Sequence, residues 1–525
     1  CTEDSGLPRR IKYFVGVFST FLLPPSHSRL GGARTHQARY SPGVGLRRAL
    51  TALGIAAACA GASVFATPSQ APTAAADARP NVVVIYLDDV SPNTSWLWSN
   101  PDRTPELSRF TRYGVEFSSA VTSTPLCGPS RATLLTGQYG HNHNVTDNQA
   151  SKLRPRGTLA PRLKRAGYHT VMVGKYINGL DEAAPRQSDV KRFAQGWNRF
   201  DVIWKRQVAG QGQFHGYQLW TRKGALSKGH KPWDHSTYVV GQRIAQHIRS
   251  APTDQPVFAL ASFAAGHVPN TPLAWHRGSR ACTGIQPYSP PSYDEADVSD
   301  KPIYIRTLPR LRPAAVNLRR HCEEMLGVDE AVATIRRALQ QTGRLRDTLL
   351  IFTADNGYLH GDHRAPLPGA KKWPHAVEVP LYMLWPARLG GQPRVVSEPV
   401  SNVDLPVTIC ALAGCRLRKA DGRDISPLLT GEASRLERRF LYTEMLRAHQ
   451  DMPPWYGLVT TGAYASDRIW HYTEYANGGH ELYDLTRDPH RLRNLAREPG
   501  QTKRVRQVHR MLHRNVVGPN EVQLP

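Results

Sequence analysis

Acidic residues, cysteines and long apolar runs are all scarce in this chain of 525 residues. Asp and Glu number 42 against 67 Lys and Arg, which gives a formal net charge of +25. A field of that sign draws in anionic ligands and steers them from a distance. Nucleic acid is the first anion to consider. The chain has no recognised nucleic-acid-binding motif and no clean basic-aromatic stripe, so no nucleic acid partner is expected. Hydrophobic residues make up 40%, enough for a sizeable core and too many for global disorder. The length suits one large domain with a smaller companion, or two to three ordinary domains.

The one extended apolar stretch, residues 49–65, is short and Ala-rich for a membrane span, and no other segment could form one. It follows Arg47-Arg48 and runs into Val64-Phe65-Ala66, with small residues at cleavage-type positions. Residues 44–66 therefore read as a bacterial secretory signal peptide, and the protein as secreted. Cys59 lies inside the run with Ala56 three residues before it, where a lipoprotein carries Leu, so lipidation is the lesser alternative. Methionine is missing until Met172. Residues 1–43 accordingly read as upstream sequence before a non-Met start at Val44 or Leu46. Residues 1–66 hold eight Lys/Arg against Glu3 and Asp4, so taking six positive charges from +25 leaves +19 on the remainder. Residues 67–80 form a Pro/Ala/Ser linker.

Beyond Ala66 only five cysteines remain: Cys127, Cys282, Cys322, Cys410 and Cys415. In an oxidising compartment four of them can pair. Cys410 and Cys415 suit a small loop, and Cys282 with Cys322 a larger one. Cys127 is then left alone.

What the chain does have begins with Asn81–Leu87, a continuous β-branched run without alternation. Such a run reads as a strand buried on both faces, as in a parallel sheet under helices. It ends in Asp88-Asp89. Two adjacent carboxylates there repel unless a cation sits between them, and open α/β sheets bind ligands at that edge. The design recurs downstream. Residues 329–341 have helical apolar spacing, Gly343 breaks it, and the strand from Thr348 to Thr353 leads into Asp355-Asn356-Gly357. Asp88, Asp89, Asp355 and Asn356 offer only oxygen donors, which suits Ca²⁺ or Mg²⁺ rather than Zn²⁺.

Between these units lies Cys127-Gly128-Pro129-Ser130-Arg131, then Leu135-Thr136-Gly137. Pro is favoured in the first turn of a helix, and Gly137 can end one. Cys127 should therefore stand just before a helix N-terminus, where free N–H groups and the helix dipole favour an anion. Arg131, one turn on, can reach back toward it.

Together these motifs resemble the type I sulfatases of the alkaline phosphatase superfamily. The resemblance runs from about residue 81 to 515. It implies that Cys127 is oxidised to formylglycine by a formylglycine-generating enzyme, and that Asp88, Asp89, Asp355, Asn356 and the modified Cys127 bind one Ca²⁺, with Mg²⁺ as the alternative. Gly174-Lys175 looks like the family's second-strand motif, whose Lys contacts sulfate. His267, after residues 256–266, looks like the catalytic His, and Lys371 like the later sulfate-binding Lys. Lys371 keeps the spacing to Pro374 and is preferred over Lys372. His360-Gly361-Asp362-His363, Asp404-Leu405-Pro406 and residues 481–489 match further motifs.

Within the family, residues 141–144 and 174–178 look most like the N-acetylglucosamine-6-sulfatase branch and its bacterial arylsulfatase relatives, which points to an aryl sulfate or a sugar 6-O-sulfate, including glycosaminoglycan. Many sulfatases carry a His two residues after the first Lys. Here that position is Ile177, followed by Asn178, which can hydrogen-bond sulfate or a sugar hydroxyl but takes no proton at neutral pH.

The implied catalytic set is Cys127, Arg131, Lys175, His267 and Lys371. Lys175, Asn178, His267 and Lys371 form the substrate-binding set. The expected architecture is α/β: a large mixed, mostly parallel sheet sandwiched by helices over residues 81–436. A smaller C-terminal domain on an antiparallel sheet, with a basic terminal helix, takes up residues 437–525. Residues 181–232 and 277–310 read as long surface loops. Trp197, Trp204, Trp220 and Trp233 are candidates for ring stacking or, more often for Trp, core packing. Two alternatives stay open: a phosphodiester or phosphonate monoester hydrolase of the same superfamily, and a non-catalytic glycan-binding homologue.

Overall fold

Successive side chains of a strand point to opposite faces, so a strand buried at every position needs cover on both sides. Asn81–Leu87, His169–Gly174, Val257–Ser262 and Thr348–Ala354 are buried along their whole length. They form the middle of a ten-stranded sheet in the computed structural model, which describes residues 79–206, 213–311, 318–365, 371–448, 452–465 and 467–515. The readings of an upstream extension and a signal peptide, and nearly all of the linker, lie outside the described residues.

The sheet runs Arg394–Val396, Val115–Phe117, Leu381–Leu384, Thr348–Ala354, Asn81–Leu87, Val257–Ser262, His169–Gly174, Arg199–Arg206, Tyr217–Thr221, Gly224–Lys228. Five consecutive strands, from Thr348–Ala354 to Arg199–Arg206, are parallel; both flanks carry antiparallel partners. Two helix groups supply the cover. Ser236–Arg249 packs along Leu318–Gln341 and against the central strands, while Cys127–Thr136, Leu159–Arg165 and Asp404–Leu412 pack on one another. This is the mixed, mostly parallel sheet between helices that the sequence leads one to expect.

Two details correct the sequence reading, and a third agrees with its preference for core packing of the Trp residues. Residues 181–232 are not one long loop: Arg199–Arg206 continues the parallel set, and Tyr217–Thr221 and Gly224–Lys228 form a hairpin at its edge. The Gly- and Arg-rich segments around these short strands masked them, and the outermost strand, Gly224–Lys228, is largely solvated. The helix read over residues 329–341 begins no later than Leu318 among the described residues. Trp197, Trp204 and Trp220 are core residues, and only Trp233 of the four is exposed, at 56%.

The smaller sheet is a consecutive antiparallel meander: Phe440–Met445, Trp455–Thr460, Trp470–Tyr475 and His480–Asp484. Alternation along one strand shows how it is held. Trp455 and Val459 join a cluster with Leu126, Ala376 and Val377 of the larger part, whereas Tyr456 and Leu458 join Val508 and Leu512 of the terminal helix Thr502–Asn515. Both expected disulfides are present, Cys282–Cys322 and Cys410–Cys415, and Cys127 is free and buried. No helix among the described residues is long and apolar enough to cross a membrane.

Candidate active site

Leu87 pairs with Ala354 across two parallel strands, so the turns that follow them lie side by side at the carboxyl edge of the sheet. The main chain locks them together. Asp355 N–H donates to Leu87 O at 3.1 Å, and Val90 N–H to Asn356 O at 3.0 Å. Asp89 has φ 58°, a left-handed conformation that Asp tolerates better than most residues. That turn aims its N–H at Asp355 Oδ1, 3.1 Å away. Asn356 Nδ2 donates to Asp89 Oδ1 at 2.7 Å. Asp88, Asp89, Asp355 and Asn356 are all fully buried.

Three buried carboxylates in one place require compensating charge. Lys175, just past the His169–Gly174 strand, pairs its ammonium with Asp88 Oδ2. Lys371 Nζ lies 2.7 Å from Asp89 Oδ2. Arg131 sets both Nε and Nη2 at 2.8 Å from Asp355 Oδ2, and its Nη1 donates to Lys175 O at 2.7 Å and Ser262 Oγ at 2.8 Å. The Tyr86 ring lies 5.1 Å from the guanidinium carbon. Burial raises the Asp88 and Asp89 carboxyls, yet Lys175 and Arg131 at Asp88, and Lys371 and His267 at Asp89, outweigh it and hold both below the usual carboxylate range. Asp355 goes the other way: burial and the neighbouring Asp88 push it up to about 7, against the pull of Arg131.

Cys127 opens the helix Cys127–Thr136, after an extended Leu126, and Gly137 in the left-handed conformation closes it. Its Sγ lies 3.4 Å from Asp88 Oδ1, 3.8 Å from Asp89 Oδ1 and 3.5 Å from Lys371 Nζ. Only 1% of the residue is exposed. Burial pushes the thiol up by more than Lys175 and Lys371 draw it back, so it stays protonated at neutral pH. The helix N-terminus differs from the expectation in one respect: Gly128 N–H is taken by Asn148 Oδ1 at 2.8 Å and is not free for an anion. Arg131 likewise turns to the carboxylates rather than to the sulfur. Ser130 fixes the helix to the strand end, its hydroxyl bonding Asp355 O and lying 2.8 Å from both Thr122 Oγ1 and Asn402 Nδ2.

His267 stands on the loop after Val257–Ser262, with Nε2 3.7 Å from Asp89 Oδ2 and Nδ1 against the Val268 carbonyl. The carbonyl accepts, so Nδ1 carries its proton and Nε2 is the atom turned to the cluster. Burial lowers this imidazole, and Asp89 and Asp88 recover only part of the shift. The loop is pinned from behind. Gly266 has φ +101°, and a Cβ there would stand 2.1 Å from Asp88 O. Glu324, inside the long helix, accepts from Gly266 N at 3.2 Å, Asn270 Nδ2 at 2.7 Å and Thr271 N at 2.7 Å.

Asp88, Asp89, Cys127, Arg131, Lys175, His267, Asp355, Asn356 and Lys371 therefore meet in one cluster. Asn178 does not join it by any hydrogen bond or ion pair among the described residues; its backbone carbonyl caps Ala150 N–H at 3.0 Å, and its Oδ1 is buried without a partner. Sequence reasoning missed Glu324, Asn148, Asn402 and Ser262. Glu324 alone left a usable signal, an acid amid the buried positions of a long amphipathic helix.

Carboxylate and sulfur atoms of Asp88, Asp89, Cys127 and Asp355 lie within 4.8 Å of one another. Asn356 Oδ1 is buried and has no partner. Hard oxygen donors around an unsatisfied buried carbonyl fit a divalent cation of the Ca²⁺ or Mg²⁺ type. The three carboxylates balance Arg131, Lys175 and Lys371, so a divalent cation would make the site positive.

A site of that charge and donor type, on that edge of an α/β sheet, suits an anionic ligand. Residues 80–415 match the sulfatase family model, and residues 372–517 match the model of the C-terminal part of N-sulphoglucosamine sulphohydrolase. N-acetylglucosamine-6-sulfatase from Capra hircus is 26% identical over 522 residues, covering 90% of this chain and 89% of that protein. An arylsulfatase from Volvox carteri is 30% identical over 386 residues, covering 65% of this chain and 56% of the other. A structure solved in complex with its substrate D-glucosamine-2-N,6-O-disulfate superposes with a TM-score of 0.66 at 18% identity, covering 85% of this chain and 100% of that one. The chain belongs to the sulfatase family and is a sulfuric ester hydrolase.

Proposed function

We propose that this sulfatase hydrolyses sulfate monoesters at the Cys127 cluster, with Cys127 converted to formylglycine by a formylglycine-generating enzyme and a Ca²⁺ (or Mg²⁺) held by Asp88, Asp89, Asp355, Asn356 and residue 127. The observation that carries the reading is the place of Cys127 Sγ, between the Asp88 carboxylate at 3.4 Å and the Lys371 ammonium at 3.5 Å. A buried, protonated thiol is a weak nucleophile, which favours a modified residue at this position. In hydrated form the formylglycine aldehyde offers a hydroxyl nucleophile and a second oxygen to restore the carbonyl. The bound cation supplies Lewis-acid polarisation of a sulfate oxygen.

The chain's own residues do the rest. Lys175 and Lys371 bring positive charge to the sulfate oxygens, where it counts most as charge shifts in the transition state. Arg131 holds Asp355 and the Lys175 carbonyl in register. In its imidazolium form, favoured by the Asp89 and Asp88 carboxylates, His267 gives the Nε2 proton to the leaving alcohol oxygen and is left neutral with its proton on Nδ1. Asn178 is kept as a second-rank substrate contact, with its unpartnered Oδ1 as the support. His267 and Lys371 are the least buried members of the cluster, so the ester enters on their side.

The substrate class is a sulfated glycan or an aryl sulfate. The D-glucosamine-2-N,6-O-disulfate of the structural neighbour favours a sugar 6-O-sulfate. Secretion is supported by the two disulfides. The large part would span residues 81–436 and the C-terminal part 437–525. Cys127→Ala should abolish release of sulfate from an aryl sulfate while the fold persists. Unchanged turnover would sink the proposal. Faster turnover of an aryl phosphodiester than of the aryl sulfate would favour the phosphoester alternative.

A further inference from the structure

A second cluster of metal-ligating side chains lies on the C-terminal part, formed by residues with no place in the Cys127 cluster. His509 and His513 stand four residues apart on the helix Thr502–Asn515 and so project from one face, one turn apart. Glu474, on the strand Trp470–Tyr475, lies opposite them. His509 Nδ1 meets Glu474 Oε1, and His513 Nε2 lies 2.7 Å from Glu474 Oε2. The two imidazole rings are 4.2 Å apart, centroid to centroid, and the ligand atoms of all three residues lie within 4.8 Å of one another.

We propose that Glu474, His509 and His513 form a surface binding site for a borderline transition-metal ion, with Zn²⁺, Ni²⁺ and Cu²⁺ as the class. Two imidazoles and one carboxylate are a ligand set of these metals, unlike the all-oxygen set at the sheet edge. Ligands about 2.1 Å from a tetrahedral ion are about 3.4 Å from each other, a spacing that small side-chain rotations reach from here. Tyr472 supports the set from behind: its hydroxyl donates to Glu474 Oε1 at 2.5 Å and orients the carboxylate. His509 and His513 are 50% and 41% exposed, so an ion can enter and water can complete its shell. Each facing ring nitrogen now points a proton at a carboxylate oxygen. Metal binding moves that proton to the other ring nitrogen or releases it, and the ion takes its place. Because the helix and the strand each give ligands, a bound ion cross-links them. Val508 and Leu512 already bury the apolar face of the same helix.

The test is a calorimetric titration of Zn²⁺ into the whole protein in excess Ca²⁺, paired with thermal unfolding. Wild type and Cys127→Ser should each take up one Zn²⁺ per chain at this site and gain Tm with Zn²⁺. His509→Ala and the milder His513→Asn should lose both the uptake and the Tm shift and keep their sulfate-ester turnover. Absence of Zn²⁺ uptake by wild type would reduce the cluster to carboxylate–imidazole ion pairs and overturn the site. Undiminished uptake in both His variants, or its loss in Cys127→Ser, would move the ion elsewhere and overturn it equally.

Discussion

The ends of two neighbouring strands, Asn81–Leu87 and Thr348–Ala354, share one design and are stabilised in opposite ways. At the first, Asp88 and Asp89 are met most closely by Lys175 and Lys371, two ammonium groups on long flexible stems from separate loops, with Arg131 Nη2 farther off at 3.7 Å from Asp88. At the second, Asp355 is met by the guanidinium of Arg131, itself fixed by Ser262 and the Lys175 carbonyl and lying against Tyr86. An ammonium is a rotatable point charge, whereas a guanidinium is a rigid, multiply bonded plate. The difference separates frame from working parts. The Arg131 side holds the backbone turns in place, and the lysine side carries charge that can turn toward an anionic substrate.

Arg131→Lys attacks the frame and should have the largest effect. It replaces the fixed guanidinium contacts to Asp355 Oδ2, Ser262 Oγ and the Lys175 carbonyl with one rotatable ammonium, and disrupting a buried ion pair costs up to about 3–5 kcal/mol. Thermal unfolding should drop accordingly and turnover should vanish. A variant with wild-type Tm would show that Arg131 is not structural. Lys371→Ala attacks the working side. Turnover of an aryl sulfate should fall by about 10²–10³, the usual loss for one charge-stabilising donor, with a Tm loss smaller than that of Arg131→Lys, because Asp89 keeps His267 and the Asn356 amide. Lys372→Ala, one residue away, should cost less than about threefold; equal losses in the two would erase the assignment of Lys371.

A smaller effect belongs to Glu324, behind both. Burial raises its carboxyl from 4.5 to about 8, against the three N–H groups it accepts from. A raised carboxyl binds its proton more tightly in the folded chain. Its contribution is therefore complete below about pH 4.5 and declines as pH rises toward 8, by up to about 1.4 kcal/mol per pH unit. Glu324→Gln should flatten that part of the stability–pH curve. An unchanged slope would show that Glu324 stays ionised.

Much of the cluster was legible in the sequence because its parts sit at the ends of regular elements. Apolar runs give the strand ends, and acids placed there have few other reasons to be adjacent. Lys371 was found by its distance from Pro374. Glu324 was not, since its partners on the His267 loop lie 53 to 58 residues earlier in the chain, and only the fold brings helix and loop together. The hairpin Tyr217–Thr221 and Gly224–Lys228 escaped for a different reason: its strands are 5 residues each, and the outer one is polar and solvated like a loop. Asn178 shows the converse limit, a residue that motif position brings near Lys175 in sequence but that bonds to none of the cluster.

The burial of Cys127 also sets an order of events in time. At 1% exposure, behind Lys371 and between two locked strand ends, its sulfur is out of reach of any enzyme once the chain has folded. If Cys127 becomes formylglycine, the conversion must therefore precede closure of the sheet edge, and folding and modification race for the same nascent chain. A molecule that folds first stays a thiol for good. Incubating folded, unconverted protein with a formylglycine-generating enzyme should leave the mass of the Cys127 peptide unchanged, while the same peptide in an unfolded chain is converted; conversion of the folded form would remove the deadline.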